Sequence, residues 1–531
     1  MSLSTVNYQL STKHRMRPEK KYFLLACCLV AGMLSCKKWD DHIAAANQNL
    51  DETLISYIGK QANLSVFNSY LVKTGLDKTL GASKNYTVWA PTNDALASLD
   101  PATVADTAKL RAFLLNHISG QQFFTRQAAD SIRVPLLNGK RVYFYHMKYD
   151  DANITQADVY VRNGVLHVID KGIAPLPNVW EYIQSTTAAY DQNAYIAAQV
   201  YSVQDPARAE LDSINPITGD PVYKPGTGIV QINTFRTKVY DIGNEDSLYT
   251  YVVLNNNAFT TETSRELPYF QSVDANKTNS NAAWNTVKDL AIKGLYPPSQ
   301  LPSAFVSRFG VHVPISPAAI VETRKASNGI IYVVNASAAD MTEKIPTVVV
   351  QGETPIAFKA TDSKYISKIF YRQRTNPNTG QSFNDIYMNL GSSGANYFAD
   401  YITNGLYSVK YKVYWVALND KSLSGVGDDP YGTDSTLQQI LQIGKDTSAV
   451  YTPTFSVQSK VFPYTYTETY LGDYTNDSHE WWLSYPLSTP DGKTYDRTAA
   501  TRRLRLLAPA SAGSGIPLNL TLDYVKFVPV L

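Results

Sequence analysis

The chain has 531 residues, so at roughly 150 residues per domain it is long enough for three or four folding units. Its hydrophobic content of 44% and charged content of 18% exclude a disordered protein, which requires low hydrophobicity and high net charge. The formal charge is +2, and five of the 48 basic residues fall within the first 35 positions, so the remainder is nearly neutral. Nucleic acid is therefore excluded as an expected partner.

The first 35 residues resemble an export signal. A basic stretch from Lys13 to Lys21 precedes an apolar run at residues 22–34, which is too short to span a bilayer. The run ends at Ser35 and Cys36, a pair that resembles the lipobox of bacterial lipoproteins. Because no cysteine follows Cys36, disulfides and cysteine metal sites are excluded from the exported part. We therefore predict a signal peptide over residues 1–35 and lipidation of Cys36.

A short tether, residues 36–50, follows the predicted anchor. Its charged start at residues 37–41 resembles the surface-export signal of lipoproteins in Gram-negative bacteria that forage for glycans. The expected location is the cell outer membrane, with the chain lipid-anchored and exposed at the surface.

Residues 51–183 begin with helices and continue with strands. Leu54, Ile58, Leu64, Phe67 and Leu71 recur at helical spacing and predict two short helices. A buried strand at residues 86–91 then leads into a helix that Thr92 caps and whose first turn Asp94 favours. A further helix carries Leu110, Phe113, Leu114 and His117.

Two Asn-Gly pairs predict hairpins later in the same region. Asn138-Gly139 and Asn163-Gly164 each separate apolar strand candidates, and a tight turn of this type requires positive φ at both central residues. We therefore expect Gly164 to be needed for its conformational freedom.

These residues resemble the fasciclin family. Residues 86–96 resemble its first signature and residues 163–170 its second, while residues 114–117 stand where the family has Leu-Leu-x-Tyr-His, with Asn116 in place of the tyrosine. The resemblance implies an α+β fasciclin-like domain over residues 51–183 and a role in adhesion or binding. It marks as motif positions Thr92, Asp94, His117, Asn163, Gly164, His167 and Asp170.

An internal repeat extends this resemblance. Residues 249–259 align without gaps on residues 86–96, and residues 328–335 align on residues 163–170, with separations of 79 and 77 residues between the paired motifs. Residues 184–343 are thus predicted to form a second, divergent fasciclin-like domain. Residues 205–228, rich in Pro, Gly and Asp, are expected to be a long loop or insertion within it.

Residues 344–531 are predicted to be an all-β domain. Within residues 406–415 aromatic and aliphatic side chains alternate with lysines, so one face of that strand is expected to be buried. The final strand, residues 518–530, changes phase near Asp523, which indicates a bulge or burial on both faces. Its ending resembles the closing strand of jelly-roll carbohydrate-binding modules, so the expected fold is multidomain, with two α+β domains followed by a jelly-roll-like β-sandwich.

The chain offers little catalytic chemistry. No histidine pair has metal-ligand spacing, and the usual motifs for phosphate binding, zinc proteases or serine nucleophiles are absent from the sequence. His117, His167 and Asp170 can be imagined as a base with its orienting carboxylate, but packing and hydrogen bonding are favoured for them. Asp428 and Asp429 leave a calcium loop open as an alternative. We predict no enzyme activity and no cofactor.

The expected function is a non-enzymatic, lipid-anchored surface protein that binds extracellular polysaccharide or protein. Two alternatives remain open, namely an extracellular glycan-active hydrolase and a structural spacer within a surface glycan-uptake complex, which would make an outer-membrane transporter complex a further partner. Adjacent tryptophans in a strand cannot both face inward, so we predict exposed aromatic contacts for a glycan ligand. The candidates are Trp481, Trp482, Tyr464, Tyr466 and Tyr470.

Overall fold

The structure is a computed structural model of the chain. It describes residues 49–531 with the exception of residues 129, 273, 360–362, 377, 404, 420–435, 446–450, 464, 480–501 and 512–515. The chain divides into two compact units, of which the first ends at Pro175 and the second begins at Leu176.

Four of the six helices in the described part of the first unit begin at a polar side chain that caps them. Asp106, for example, accepts hydrogen bonds from Ala108 N at 2.9 Å and from Lys109 N at 3.1 Å. The two helices predicted from the apolar spacing of residues 54–71 are confirmed, whereas His117 lies beyond the end of its predicted helix. The helices are α1 (Leu54–Lys60), α2 (Ser65–Lys73), α3 (Leu76–Leu80), α4 (Asn93–Leu96), α5 (Pro101–Ala105) and α6 (Thr107–Leu115).

Strands of the first unit form a mixed sheet in the order β2-β1-β7-β6-β5-β4-β3. The parallel pair of β1 and β7 is buried on both faces. Val88 and Leu166 pack with the helical residues, while Trp89 and Ile169 enter a second cluster on the opposite face. The strands are β1 (Tyr86–Pro91), β2 (Ile118–Ser119), β3 (Ile132–Pro135), β4 (Arg141–Tyr145), β5 (Lys148–Tyr149), β6 (Ala152–Val161) and β7 (Gly164–Ile169).

The two predicted hairpins have different outcomes. The turn at Asn138-Gly139 joins β3 to β4, and Gly139 has a φ of +82°, but Asn138 is not among the described residues with positive φ. Strands β6 and β7 also form a hairpin, but Val161 pairs with Gly164, so the turn residues are 162 and 163. The prediction of positive φ at both Asn163 and Gly164 is wrong, because Asn163 is not among the described residues with positive φ.

The second unit begins with a mixture of helices and strands. Its helices are α7 (Val179–Ser185), α8 (Asp191–Ala198), α9 (Thr234–Lys238), α10 (Asn256–Glu266), α11 (Ala275–Val287), α12 (Met341–Lys344) and α13 (Ser363–Ile366). Its strands up to residue 334 are β8 (Val200–Gln204), β9 (Leu211–Ile214), β10 (Pro221–Tyr223), β11 (Ile229–Asn233), β12 (Tyr249–Leu254), β13 (Ala291–Lys293), β14 (Ala304–Val306), β15 (His312–Pro314), β16 (Ile320–Ala326) and β17 (Gly329–Val334). Strands β13, β12, β17 and β16 form one sheet in that order, with β12 and β17 parallel.

The segment predicted as a long loop or insertion, residues 205–228, contains one pair of strands, β9 and β10. The strands that flank the segment, β8 and β11, pair with each other, so a second ribbon leads into and out of it. Tight reversals make this possible: Asn215 N donates to Asp220 O at 2.8 Å, and Gly219 between them has a φ of +77°.

Most of the regular secondary structure in the described remainder of the second unit is strand. Its strands are β18 (Val348–Gln351), β19 (Ala357–Phe358), β20 (Ile369–Thr375), β21 (Ser382–Met388), β22 (Phe398–Thr403), β23 (Lys410–Val416), β24 (Leu437–Lys445), β25 (Thr452–Val461), β26 (Thr469–Thr475), β27 (Arg502–Leu507), β28 (Leu520–Leu522) and β29 (Tyr524–Val530). They form sheets in the orders β18-β29-β23-β26, β19-β22-β27-β24-β25 and β20-β21-β28. Inward side chains of all three sheets share one core, including Trp415, Leu441 and Ile386.

Strand β23 has the predicted alternation of buried and exposed residues, but it is shorter than predicted. Tyr411, Val413 and Trp415 are buried, while Lys410 and Lys412 are exposed. The strand begins at residue 410 rather than 406, because the carbonyls of residues 406 and 407 accept hydrogen bonds from the Asn476 side chain at 3.3 and 2.8 Å.

The change of phase near Asp523 marks a change of sheet. Strand β28 pairs with β21 and is buried on both faces, whereas β29 pairs with β18 and β23. Asp523 separates the two strands. Of the two predicted explanations, burial on both faces holds for β28, and no bulge is needed. As a whole, the chain combines mixed α/β content with many β-sheets.

Candidate functional site

The first signature connects a buried strand to a capped helix. Thr92 accepts a hydrogen bond from Ala95 N at 3.2 Å as the cap of α4, and Asp94 lies in the first turn, as predicted. The Asn93 side chain fixes the helix against α2, since its Oδ1 accepts from Val66 N at 3.0 Å and its Nδ2 donates to Ala62 O at 2.9 Å. These contacts position the signature rather than leave it free for a ligand.

The second signature begins with a buried asparagine that joins three segments. Asn163 Oδ1 accepts from Leu54 N at 2.8 Å, its Nδ2 donates to Leu80 O at 2.6 Å, and its carbonyl accepts from Tyr86 N at 3.1 Å. A buried polar group of this kind is retained because all its hydrogen bonds are made. Asn163 therefore holds together α1, the end of α3 and the start of β1.

Gly164 is required by close packing. A Cβ added there would lie 2.1 Å from Tyr86 O and 2.8 Å from the Leu54 side chain. No side chain fits at these distances. The sequence therefore pointed to an indispensable glycine, but the reason is its pairing with β1 and not a turn conformation.

His117 is a buried, neutral side chain. Its Nδ1 donates to Phe113 O at 2.9 Å, and its Nε2 accepts from Ile173 N at 3.0 Å, so both ring nitrogens are occupied. Burial lowers the pKa of His117 to about 4, although the Phe113 carbonyl acts in the opposite direction. At neutral pH this imidazole stabilises the fold and is inaccessible to a substrate.

His167 is buried in a similar way on the other side of the aromatic cluster. Its Nδ1 accepts from Asp158 N at 3.3 Å and its Nε2 donates to Phe123 O at 3.1 Å. Burial lowers the pKa of His167, while the Phe123 carbonyl and the Asp158 carboxylate oppose that effect. Both ring nitrogens of His167, the hypothetical base in β7, are thus already hydrogen-bonded to backbone groups.

Aromatic rings separate the two histidines. Trp89 stacks on His167 with ring centroids 5.7 Å apart and on Tyr149 at 4.5 Å, and Tyr149 lies 6.1 Å from His117. Asp170 binds elsewhere, accepting from Asn153 N and Asn153 Nδ2 at 2.8 Å each. No catalytic arrangement of His117, His167 and Asp170 is formed, in agreement with the packing role that the sequence favoured.

An open groove of about 580 Å³ lies beside the first signature, and we call it the signature groove. Its lining is mainly apolar and consists of Val66, Tyr70, Lys73, Asn93, Leu96, Ala97, Leu99, Pro101, Val104 and Ala105. The Lys73 ammonium donates to Val104 O at 2.7 Å at one side. Sequence reasoning missed this groove, although Val66, Tyr70 and Lys73 follow each other at helical spacing on one face of α2.

Comparison with known proteins shows what the first unit is similar to. Residues 62–175 match the sequence profile of the fasciclin domain. A protein from Synechocystis sp., Protein sll1483, is 31% identical over 133 residues, which cover 23% of this chain and 73% of that protein. The chain belongs to the fasciclin domain family. In the fasciclin domain of this chain, the matched residues include both signatures and the whole lining of the signature groove.

Two solved structures align with the chain at low TM-scores. A FAS1 domain pair from the insect cell adhesion molecule Fasciclin I is 17% identical, covering 53% of this chain and 99% of that chain, with a TM-score of 0.22. Arthrobacter globiformis T6 isomalto-dextranase complexed with panose is 12% identical, covering 36% of this chain and 26% of that chain, with a TM-score of 0.21. Scores this low carry no conclusion about the fold or ligand of this chain.

The second copy of the internal repeat, which we call the repeat region, has the same strand pairing and the same buried asparagine as the fasciclin domain. Strands β12 and β17 pair in parallel with Tyr249 opposite Gly329, just as Tyr86 lies opposite Gly164. Asn328 Oδ1 accepts from Val179 N at 2.9 Å and its Nδ2 donates to Ile242 O at 2.9 Å, contacts that correspond to those of Asn163. The aligned motifs therefore make equivalent contacts in both regions.

Of the five aromatic residues predicted to contact a ligand, two lie among the described residues. Tyr466 is half-buried and donates to Asp523 Oδ2 at 2.6 Å, whereas Tyr470 is 52% exposed and donates to Asp473 Oδ1 at 2.6 Å. Tyr464, Trp481 and Trp482 lie outside the described residues, as do Cys36, Asp428 and Asp429. An exposed tryptophan in this region stays a prediction.

Metal-binding clusters and membrane-spanning helices are both absent from the described part of the chain. Among these residues, no group of three or more His, Cys, Asp or Glu side chains is arranged to hold a metal ion. Within the same residues, no helix has the length and apolar character needed to cross a membrane.

Proposed function

We propose that this fasciclin-domain protein is a non-enzymatic binding protein of the bacterial cell surface, anchored by a lipid on Cys36. Fasciclin domains are typically adhesion or extracellular binding modules. The basic stretch, the short apolar run and Ser35 before Cys36 support the anchor and an outer-membrane location. Mass spectrometry of the native protein that found the Ser35–Cys36 bond intact would remove the anchor from this proposal.

The proposed architecture has three parts after the tether. Residues 51–175 form the fasciclin domain, and residues 176–343 form a second, divergent fasciclin-like domain, which the corresponding contacts of Asn163 and Asn328 support. This boundary lies before the one predicted from the sequence at residue 183, because Asn328 binds Val179 at the start of α7. Residues 344–531 form a jelly-roll-like β-sandwich, which the shared core of the sheets around Trp415 supports. A binding protein built this way presents several surfaces on one anchored chain.

The signature groove is the observation that carries the binding role. Its volume of about 580 Å³ lies within the range of ligand sites. Of its three polar side chains, Lys73 and Asn93 already bind backbone carbonyls and the third is Tyr70; the lining contains no carboxylate, histidine, cysteine or serine. Such a groove can hold a ligand without transforming it.

A protein segment with apolar side chains suits this groove best. Val66, Tyr70 and Leu99 are half-buried and offer an apolar floor, while the Lys73 ammonium lies where it could reach an acidic group of the ligand. We therefore expect extracellular or surface proteins as ligands of the fasciclin domain.

The groove is tested by blocking it without disturbing the core. Ala105→Arg would place a long cation on an exposed lining position, and Ala108→Arg would place one on an exposed position of α6 outside the groove. Whole protein and both variants are applied to an array of extracellular matrix proteins and glycans. Ala105→Arg should weaken protein binding at least tenfold while Ala108→Arg binds normally. Equal binding by both variants would exclude the groove as the site.

A further inference from the structure

One outward face in the C-terminal part of the second unit combines tyrosines with lysines. It is formed by alternate residues of β23, β26 and β29, whose other side chains point into the core, as those of Tyr411 and Phe527 do. We call it the tyrosine–lysine face and define it by Lys410, Lys412, Tyr414, Tyr470, Asp473 and Lys526.

Two rings form the aromatic part of this face. Tyr470 is 52% exposed, and its ring centroid lies 5.4 Å from that of Tyr414 on the neighbouring strand. The Tyr470 hydroxyl donates to Asp473 Oδ1 at 2.6 Å, which holds the exposed ring in place. A ring that is already fixed loses little conformational freedom when a ligand packs on it.

Cations surround these rings. Lys526 Nζ lies 5.4 Å from the centre of the Tyr414 ring and pairs with Glu468, and Lys410 Nζ pairs with Asp473 Oδ2 at 2.5 Å. Lys412 is exposed and lies opposite Asp473 in the strand register, and Lys410 and Lys412 both lower the pKa of that carboxyl, so two lysines share one carboxylate. Three lysines and two carboxylates leave the face with a small positive excess centred on Lys412.

We propose that the tyrosine–lysine face binds a polysaccharide whose sugar units carry carboxylate groups. The proposal rests on the surface-binding function proposed above and assigns it a second ligand class at a second site. The apolar side of a sugar ring stacks on Tyr470 and Tyr414, and a sugar carboxylate is drawn to Lys412.

The composition of the face argues for a sugar rather than a protein or a nucleic acid. Cores of protein–protein interfaces are depleted of lysine, aspartate and glutamate, yet these residue types surround the rings here. A nucleic acid requires many cations to neutralise successive phosphates, and Asp473 and Glu468 cancel most of the charge of this face. A polymer with widely spaced carboxylates matches a small positive excess.

The opposite five-stranded sheet provides a matched control surface. Its outward residues on β25 include Thr454, Ser456 and Gln458, which are exposed like Tyr470 but lack aromatic rings and cations. Gln458→Ala therefore changes an exposed strand position of the same all-β region without touching the tyrosine–lysine face.

Calorimetric titration of the whole protein tests the proposal with matched polymers. The probe is polygalacturonate, compared with its methyl ester, which keeps the sugar and removes the charge, and with polyglutamate, which keeps the carboxylate and removes the sugar. Polygalacturonate should bind at least tenfold more tightly than either. Tyr470→Ala and Lys412→Glu should each weaken its binding about tenfold, whereas Gln458→Ala should retain it. Tyr470→Phe keeps the ring but loses the bond to Asp473, so it should lose less affinity than Tyr470→Ala.

The outcomes separate this inference from the proposed function. Equal binding of polyglutamate, or unchanged binding by Tyr470→Ala and Lys412→Glu with unchanged thermal unfolding, would overturn the inference. Binding of matrix proteins at the signature groove without any binding of polygalacturonate would overturn it too, and would leave the proposed function standing. A protein that binds neither class would refute both.

Discussion

The fasciclin domain and the repeat region share a framework of strand pairs and buried hydrogen bonds. Their core side chains differ. In both, a buried asparagine joins the start of a helix to a parallel strand pair, through Asn163 in one and Asn328 in the other. In both, the hydroxyl of an aligned threonine donates to a backbone carbonyl, from Thr87 to Gln121 O at 2.8 Å and from Thr250 to Gly294 O at 3.0 Å. These contacts use backbone groups, so they survive extensive change in the core.

Equivalent hydrogen bonds of the two regions are made by different core residues. Trp89 N donates to His117 O in the fasciclin domain, and the corresponding bond in the repeat runs from Val252 N to Leu290 O, each at 2.9 Å. Tyr332 stands at the position of His167 and donates to Tyr296 O at 2.6 Å. The repeat region therefore lacks both buried histidines and the tryptophan between them.

This comparison distinguishes the contacts that both regions share from those found in only one of them. A parallel pair anchored by asparagine and a closely packed glycine is common to both regions, whereas the stack of His167, Trp89, Tyr149 and His117 belongs to the fasciclin domain alone among these two. The histidines should accordingly set a pH response that the repeat does not share.

The largest expected effect comes from the shared glycines. A Cβ at Gly329 would lie 2.0 Å from Tyr249 O, and one at Gly164 would lie 2.1 Å from Tyr86 O. Gly164→Ala and Gly329→Ala should each destabilise their own region by about 4 kcal/mol, because the strand pair must separate to admit a methyl group. Hydrogen exchange of amides in β1 and β12 would measure each loss separately.

Gly139→Ala is the matched control for these variants. Gly139 has a φ of +82°, but nothing lies within 4 Å of an added Cβ, so the cost is limited to backbone strain of about 1 kcal/mol. If Gly164→Ala cost no more than this control, the close packing of β1 against β7 would be wrong.

A smaller effect distinguishes the two regions by pH. The unfolded chain binds a proton on each histidine near pH 6.5, while the folded pKa of His117 is lowered to about 4 by burial and that of His167 is also lowered. The resulting stability is complete above pH 6.5 and is lost as the pH falls towards 4. For His117 the loss amounts to about 3 kcal/mol over that window.

Exchange of the β1 and β12 amides between pH 7.5 and 5, corrected for intrinsic rates, would measure this response. The first unit should lose more protection, because the second unit contains one comparable histidine, His479, whose pKa burial also lowers to about 4. Earlier loss of protection in β12 would contradict the role assigned to the two histidines of the fasciclin domain.

Much of the local structure was predictable because it depends on short-range chemistry. The helices around Leu54 and Phe67, the Thr92 cap and the alternation along β23 follow from spacing and side-chain type, and the structure agrees. The packing role of His117 was also predictable, since it follows an apolar helical face. Local patterns did not predict the turn before Gly164 or the strand pair inside the insertion at residues 205–228, because both depend on which strands meet.

By itself the sequence determined the family and indicated the repeat and the residues expected to be indispensable, because motif order and spacing are preserved along one chain. Tertiary structure alone decided why they are indispensable: Gly164 contacts a backbone oxygen 78 positions away, and Asn163 binds atoms of residues 54 and 80. It likewise decided where the surfaces lie, since the signature groove joins α2 to α4 and α5, and Tyr470 meets Tyr414 only when β26 pairs with β23. Contacts between residues far apart in sequence leave no local periodicity, so they become visible only when the chain is folded.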